Sequence, residues 1–163
     1  MKLFIVALAL IPFISVAQDC AIKKETDQFT RDTKLSTGFV QLKLSSVSID
    51  ANKKEFDFFF TLDGADKCFD DNSTVIVLFE GGKQRSNFRN SGSMNCEGLF
   101  HFTVKSGPET PFVVKRFGSQ KVSQITFTGN NKKETIISFT PTQQDQFMSA
   151  VNCIAAEAKK LHQ

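Results

Sequence analysis

Four cysteines, Cys20, Cys68, Cys96 and Cys153, are the most reactive side chains in this 163-residue sequence. None stands in a C-x-x-C pair, and the only histidines are His101 and His162, so a tetrahedral zinc site would have to gather ligands from widely separated positions. An even cysteine count points instead to disulfides, and count alone leaves the connectivity open. Chain placement favours Cys68 with Cys96, which bracket one expected hairpin. It also favours Cys20 with Cys153, which would tether the N-terminal segment to the last helix.

The densest acidic stretch runs Asp63-Gly64-Ala65-Asp66-Lys67-Cys68-Phe69-Asp70-Asp71-Asn72-Ser73. Loop carboxylates are what Ca²⁺ takes, but the EF-hand spacing is absent, and Asp, Asn and Ser serve turns equally well through bonds to their own backbone. Asp63, Asp66, Asp70 and Asp71 would be the carboxylates of an alternative reading, a small secreted hydrolase. No G-x-S-x-G elbow occurs, and His101 has no evident nucleophile beside it, so a bonded or solvated strand histidine is the expectation there. The sequence assigns no catalytic residue, no metal site and no cofactor.

Lys83, Arg85 and Arg89 share one face of an expected strand, and Lys115, Arg116 and Lys121 follow further along. Converging, they would form a basic surface for an exported or envelope protein or an acidic polysaccharide. The competing reading is a solvated strand that discourages edge pairing. A formal net charge of only +3 argues against a nucleic-acid partner. Aromatic usage is entirely Phe, 18 residues with no Trp or Tyr, which disfavours sugar stacking and predicts an oily core. A Phe-rich interior also raises carriage of a hydrophobic ligand, and Phe59, Phe69 and Phe88 are candidates to line an exposed groove.

The address is read from the first residues. Lys2, the apolar run from Leu3 to Val16, and Ser15-Val16-Ala17 form a leader expected to be cut after Ala17. The apolar run is too short for a membrane span and carries Pro12, and no later stretch approaches that length. Gln18-Asp19 before Cys20 does not suit lipid attachment. The expected organisation is a signal peptide at 1–17 and one secreted or periplasmic domain at 18–163. The leader, the charged opening around Asp27-Gln28-Phe29-Thr30 and the cysteine-bearing loops resemble small exported bacterial proteins in general style, which carries over no functional residue.

Hydrophobic periodicity supplies the elements that must position these groups. Residues 21–34 read as an edge hairpin or arm. Val40, Leu42 and Leu44 alternate in one phase and Val47 and Ile49 in the other, which predicts a bulge or strand break near Ser45-Ser46. Phe56, Phe58, Phe60 and Leu62 share a face, as do Phe100, Phe102 and Val104. Thr74 to Phe79 is apolar without alternation, which predicts cover on both sides. Gly81-Gly82 marks a tight hairpin, and 122–128 with 134–139 forms another. A short helix is expected before Gly118, with Pro111 early in it. A long one at about 141–161 is expected from Thr140, Pro141 and Gln143 followed by Phe147, Val151, Ile154, Ala158 and Leu161. The fold class is therefore α+β, predominantly antiparallel β, a sandwich or strongly curved sheet of about seven to nine strands with one long C-terminal helix.

Overall fold

The computed structural model describes residues 20–64, 66–82 and 84–163. The expected leader at 1–17 and Lys83 lie outside the described residues. In chain order the elements are β1 (Lys23–Thr26), β2 (Thr33–Leu42), β3 (Ser45–Ala51), β4 (Glu55–Leu62), β5 (Thr74–Phe79), β6 (Arg85–Arg89), β7 (Leu99–Lys105), α1 (Phe112–Ser119), β8 (Val122–Thr128), β9 (Glu134–Ser138) and α2 (Pro141–Lys160). The strands form a five-stranded sheet, β1-β2-β3-β4-β7, and a four-stranded sheet, β6-β5-β8-β9, both antiparallel throughout. The protein is an α+β, mostly β, sandwich-like fold with a long C-terminal helix.

Phenylalanine makes the core. Period-two alternation turns Phe56, Phe58, Phe60 and Leu62 of β4 and Phe100 and Phe102 of β7 onto one face, all buried. Rings of the opposing sheet meet them directly: Phe127 of β8 lies edge-on to Phe60 and Phe100, 5.2 Å from each. Phe117 of α1 closes one side of the cluster, within 5.8 Å of Phe58, Phe79 and Phe147. α2 lies across β2 and β3 and against α1, burying Phe147, Val151, Ile154 and Ala158 at helical spacing. Its start is built as the local sequence dictates: Thr140 and Gln143 form a reciprocal capping box, with Pro141 in the first turn.

Of the two causes expected for the phase change near Ser45-Ser46, a bulge or a strand break, the structure has the strand break. Lys43-Leu44 is a tight turn joining β2 to β3, and it leaves Leu44 62% exposed. The irregularity in pairing lies upstream, between Ser36 and Phe39, where Gly38 takes a φ of +67°. The expectation of cover on both sides of Thr74–Phe79 is also corrected: Val75, Val77 and Phe79 are buried, whereas Ile76 and Leu78 are only half-buried on an open outer face. Their apolar character mimicked a strand covered on both faces.

At the short helix, Pro111 is the residue before the first turn and Gly118 lies inside α1 rather than beyond it. Gly118 is explained by close helix packing, because a Cβ there would come within 2.3 Å of Asn152 Oδ1 on α2. The Asn152 amide donates to the Gly118 carbonyl at 2.8 Å. Phe69, expected as an exposed groove residue, is 2% exposed and packs edge-on to Phe100 at 5.3 Å. Phe88 is half-buried, stacked on Phe102 at 4.1 Å.

Two disulfides brace this frame. Cys68–Cys96 joins the loop before β5 to the loop before β7, next to the isolated bridge Phe69–Asn95. Cys20–Cys153 ties the segment before β1 to the middle of α2. The loop before β7 also requires Gly98: its φ is +75°, and a Cβ there would lie 2.2 Å from the Leu62 carbonyl oxygen.

Candidate interaction surface

The four-stranded sheet shows its outer face to solvent, and its register sets out three rows across β6, β5, β8 and β9. They read Arg89-Thr74-Thr128-Glu134, Asn87-Ile76-Thr126-Ile136 and Arg85-Leu78-Gln124-Ser138. Arg85 and Arg89 are exposed at the β6 edge, and none of the ion pairs among the described residues engages them. Beside them Ile76 and Leu78 are half-buried and Ile136 is 57% exposed. The face is thus cationic along its β6 edge, with apolar Ile76 and Leu78 on β5 and Ile136 on β9 separated by Thr128, Thr126 and Gln124 of β8.

The other basic residues do not join it. Lys121 pairs with Asp145 at 2.7 Å, and that hydrogen bond holds its ammonium above the usual lysine range. Lys115 faces Glu109 at 3.9 Å. Arg116 lies over the rings of Phe112 and Phe79, at 4.9 and 5.7 Å, and donates to Ser86 Oγ at 3.3 Å. Sequence spacing left open whether Lys115, Arg116 and Lys121 converge with the β6 cations, and the fold instead pairs or stacks these three.

On the outer face of the five-stranded sheet, Asp50 and Asp57 are directly opposed across β3 and β4. Like charges in that position repel, and each has acquired its own partner. Lys34 bonds Asp50 at 2.7 Å, which raises the lysine above its ordinary range. His101 Nδ1 lies 3.0 Å from Asp57 Oδ1, with the two side chains 27% and 30% exposed. The imidazole is further fixed by Gly92, where a Cβ would stand 3.0 Å from the ring, and by Phe59 at 6.2 Å.

Backbone bonds tie the same residue to the other sheet. The His101 N–H donates to Asn90 Oδ1 at 3.0 Å, and Ser91 N–H donates to the His101 carbonyl at 2.8 Å. Asn90, 4% exposed, also donates its amide to the Asp70 carbonyl at 3.0 Å. An oriented Asp–His pair is half of a nucleophile-activating device. Among the described residues no hydroxyl or thiol bonds its ring; the side-chain pair links β4 to β7 within one sheet, and the His101 backbone carries the contact to the segment that follows β6. Sequence reasoning missed this pair because β4 and β7 are not consecutive; the available signal was that Asp57 and His101 both project outward from strands whose Phe residues project inward.

The loop acids also resolve into structure. Asp70 Oδ1 accepts from Asn72 N–H at 3.0 Å and from both Ser73 N–H and Ser73 Oγ at 2.9 Å, forming a closed turn. Asp66 lines a cavity of about 170 Å³ with Lys67, Lys133 and Glu134, where the charges balance. A wider open groove of about 530 Å³ runs between Cys20–Ile22 and α2. No helix among the described residues is long and apolar enough to cross a membrane. The chain matches no protein-family model, no curated protein and no solved structure.

Proposed function

We propose that this chain is an exported, disulfide-braced, non-enzymatic binding module whose working surface is the outer face of β6-β5-β8-β9. The observation that carries the reading is the pair Arg85 and Arg89, exposed four residues apart on β6 and outside every ion pair among the described residues, next to half-buried Ile76 and Leu78 of β5 on the same open face. Paired cations next to apolar side chains suit an acidic exported or envelope protein, or an acidic polysaccharide. Two disulfides support residence in an oxidising compartment.

The double variant Arg85→Glu, Arg89→Glu is expected to fold normally and to elute from immobilised polyglutamate or heparin at clearly lower salt than the parent protein. Lys23→Glu, Lys24→Glu makes the same charge change on exposed β1 and is expected to shift elution much less. Equal shifts for the two variants would mean that net charge alone governs retention, and the surface assignment would fail. Intact-mass analysis of the protein recovered from its native source is expected to show the first seventeen residues removed and no free thiol. A retained leader with reduced cysteines would remove the exported reading.

A further inference from the structure

The sandwich has four sheet edges, β1, β7, β6 and β9, and they are not treated alike. β1 carries Lys23 and Lys24, all four of its residues exposed. β6 carries Arg85 and Arg89. β7 ends on Lys105, and at His101 both its outward N–H and its carbonyl are taken by Asn90 and Ser91. Those are the usual guards against strand addition: cationic side chains on the edge, or a segment laid along it. β9, Glu-Thr-Ile-Ile-Ser, has no lysine, arginine or proline, and its register with β8 is continuous, without a bulge.

The direction of its backbone groups follows from the bonds at its two ends. Phe139 N–H donates to the Ser123 carbonyl and Gly129 N–H to the Lys133 carbonyl, each at 3.0 Å. Residues 133 and 139 therefore face β8, and with the two-residue period 135 and 137 do as well. The N–H and C=O of Glu134, Ile136 and Ser138 point away from the sheet. These three positions are symmetric about Ile136, whose side chain is 57% exposed.

We infer that β9 pairs antiparallel with β9 of a second copy of this chain, about a twofold axis at Ile136. Ile136 then exchanges both backbone bonds with its counterpart, and Glu134 opposes Ser138 of the second copy at each end. All three outward residues of each copy are satisfied, and no like charges face one another. The exposed Ile136 side chains become direct cross-strand neighbours on the outer face. The result is one continuous eight-stranded sheet, β6-β5-β8-β9 followed by its mirror order, with an arginine pair at each end roughly 34 Å apart at about 4.8 Å per strand step. One short strand pair buries little area, so the dimer is weak and concentration-dependent.

The test is sedimentation velocity of the oxidised protein across a concentration series, with amide hydrogen exchange at low and high concentration. The parent is expected to shift from monomer toward dimer, with the Ile136 amide more protected at the higher concentration. Ile136→Lys, at an exposed position, is expected to weaken association at least tenfold and abolish the added protection while leaving the circular dichroism spectrum unchanged. Arg85→Glu, Arg89→Glu is expected to dimerise like the parent, so this inference and the binding reading fail separately. A parent that stays monomeric throughout, an Ile136 amide whose exchange ignores concentration, or a dimer that survives Ile136→Lys would each overturn the inference.

Discussion

Replacing Cys20 and Cys153 together by serine is expected to lower the unfolding free energy by about 5 kcal/mol, the chain-entropy value for so long a closed loop. The bridge spans a sequence separation of 133, nearly the whole domain, so its loss frees most of the denatured ensemble at once. Cys68–Cys96, with a separation of 28, is worth about 3.5 kcal/mol on the same reasoning. Urea unfolding of the two double-serine variants under non-reducing conditions checks the order. A smaller loss from the long loop than from the short one would show that native-state packing of the N-terminal segment and α2, rather than denatured-state constraint, controls the effect. Apart from the β1–β2 ladder that segment has little else to hold it, since the β1 side chains are exposed along its length and only Ile22 packs on the core.

Phe102→Ala is expected to cost about 4 kcal/mol, the range for removing a buried aromatic ring from a core that cannot close around the gap. Phe102 is 1% exposed and stacked between Phe58 at 5.0 Å and Phe88 at 4.1 Å, with Phe60 and Phe117 within 6.4 Å. The rings come from β4, β6, β7 and α1, so the cavity would open where both sheets and the short helix meet. Phe29→Ala supplies the comparison: that ring is 95% exposed, and its loss is expected to change stability by less than about 0.5 kcal/mol. Urea midpoints for the two variants measure the contrast, and similar losses would mean that the ring stack does not organise the core.

Local chemistry made much of this fold legible. Phe residues at period two reported the buried face of β4 and β7, and Thr140, Pro141 and Gln143 reported the start of α2, because alternation and capping depend on near neighbours alone. Strand partners that are distant in sequence did not announce themselves. Nothing local places β7 beside β4, so the Asp57–His101 pair and the partners of Lys115, Arg116 and Lys121 stayed hidden. Ile76 and Leu78 misled in the opposite sense. Their apolar side chains read as evidence of a second covering layer, yet they lie on an open face whose cationic edge was visible in the spacing of Arg85 and Arg89.

The tie between Cys20 and Cys153 has a mechanical consequence. Tension applied between the segment before Cys20 and the end of α2 is carried from one attachment point to the other through a sulfur–sulfur bond, so the β-ladders between them bear almost no load. Stretching this protein by its ends would peel only the last turns of α2 and leave the sandwich slack inside a covalent loop, until a reductant cuts the loop and the strands begin to feel the pull.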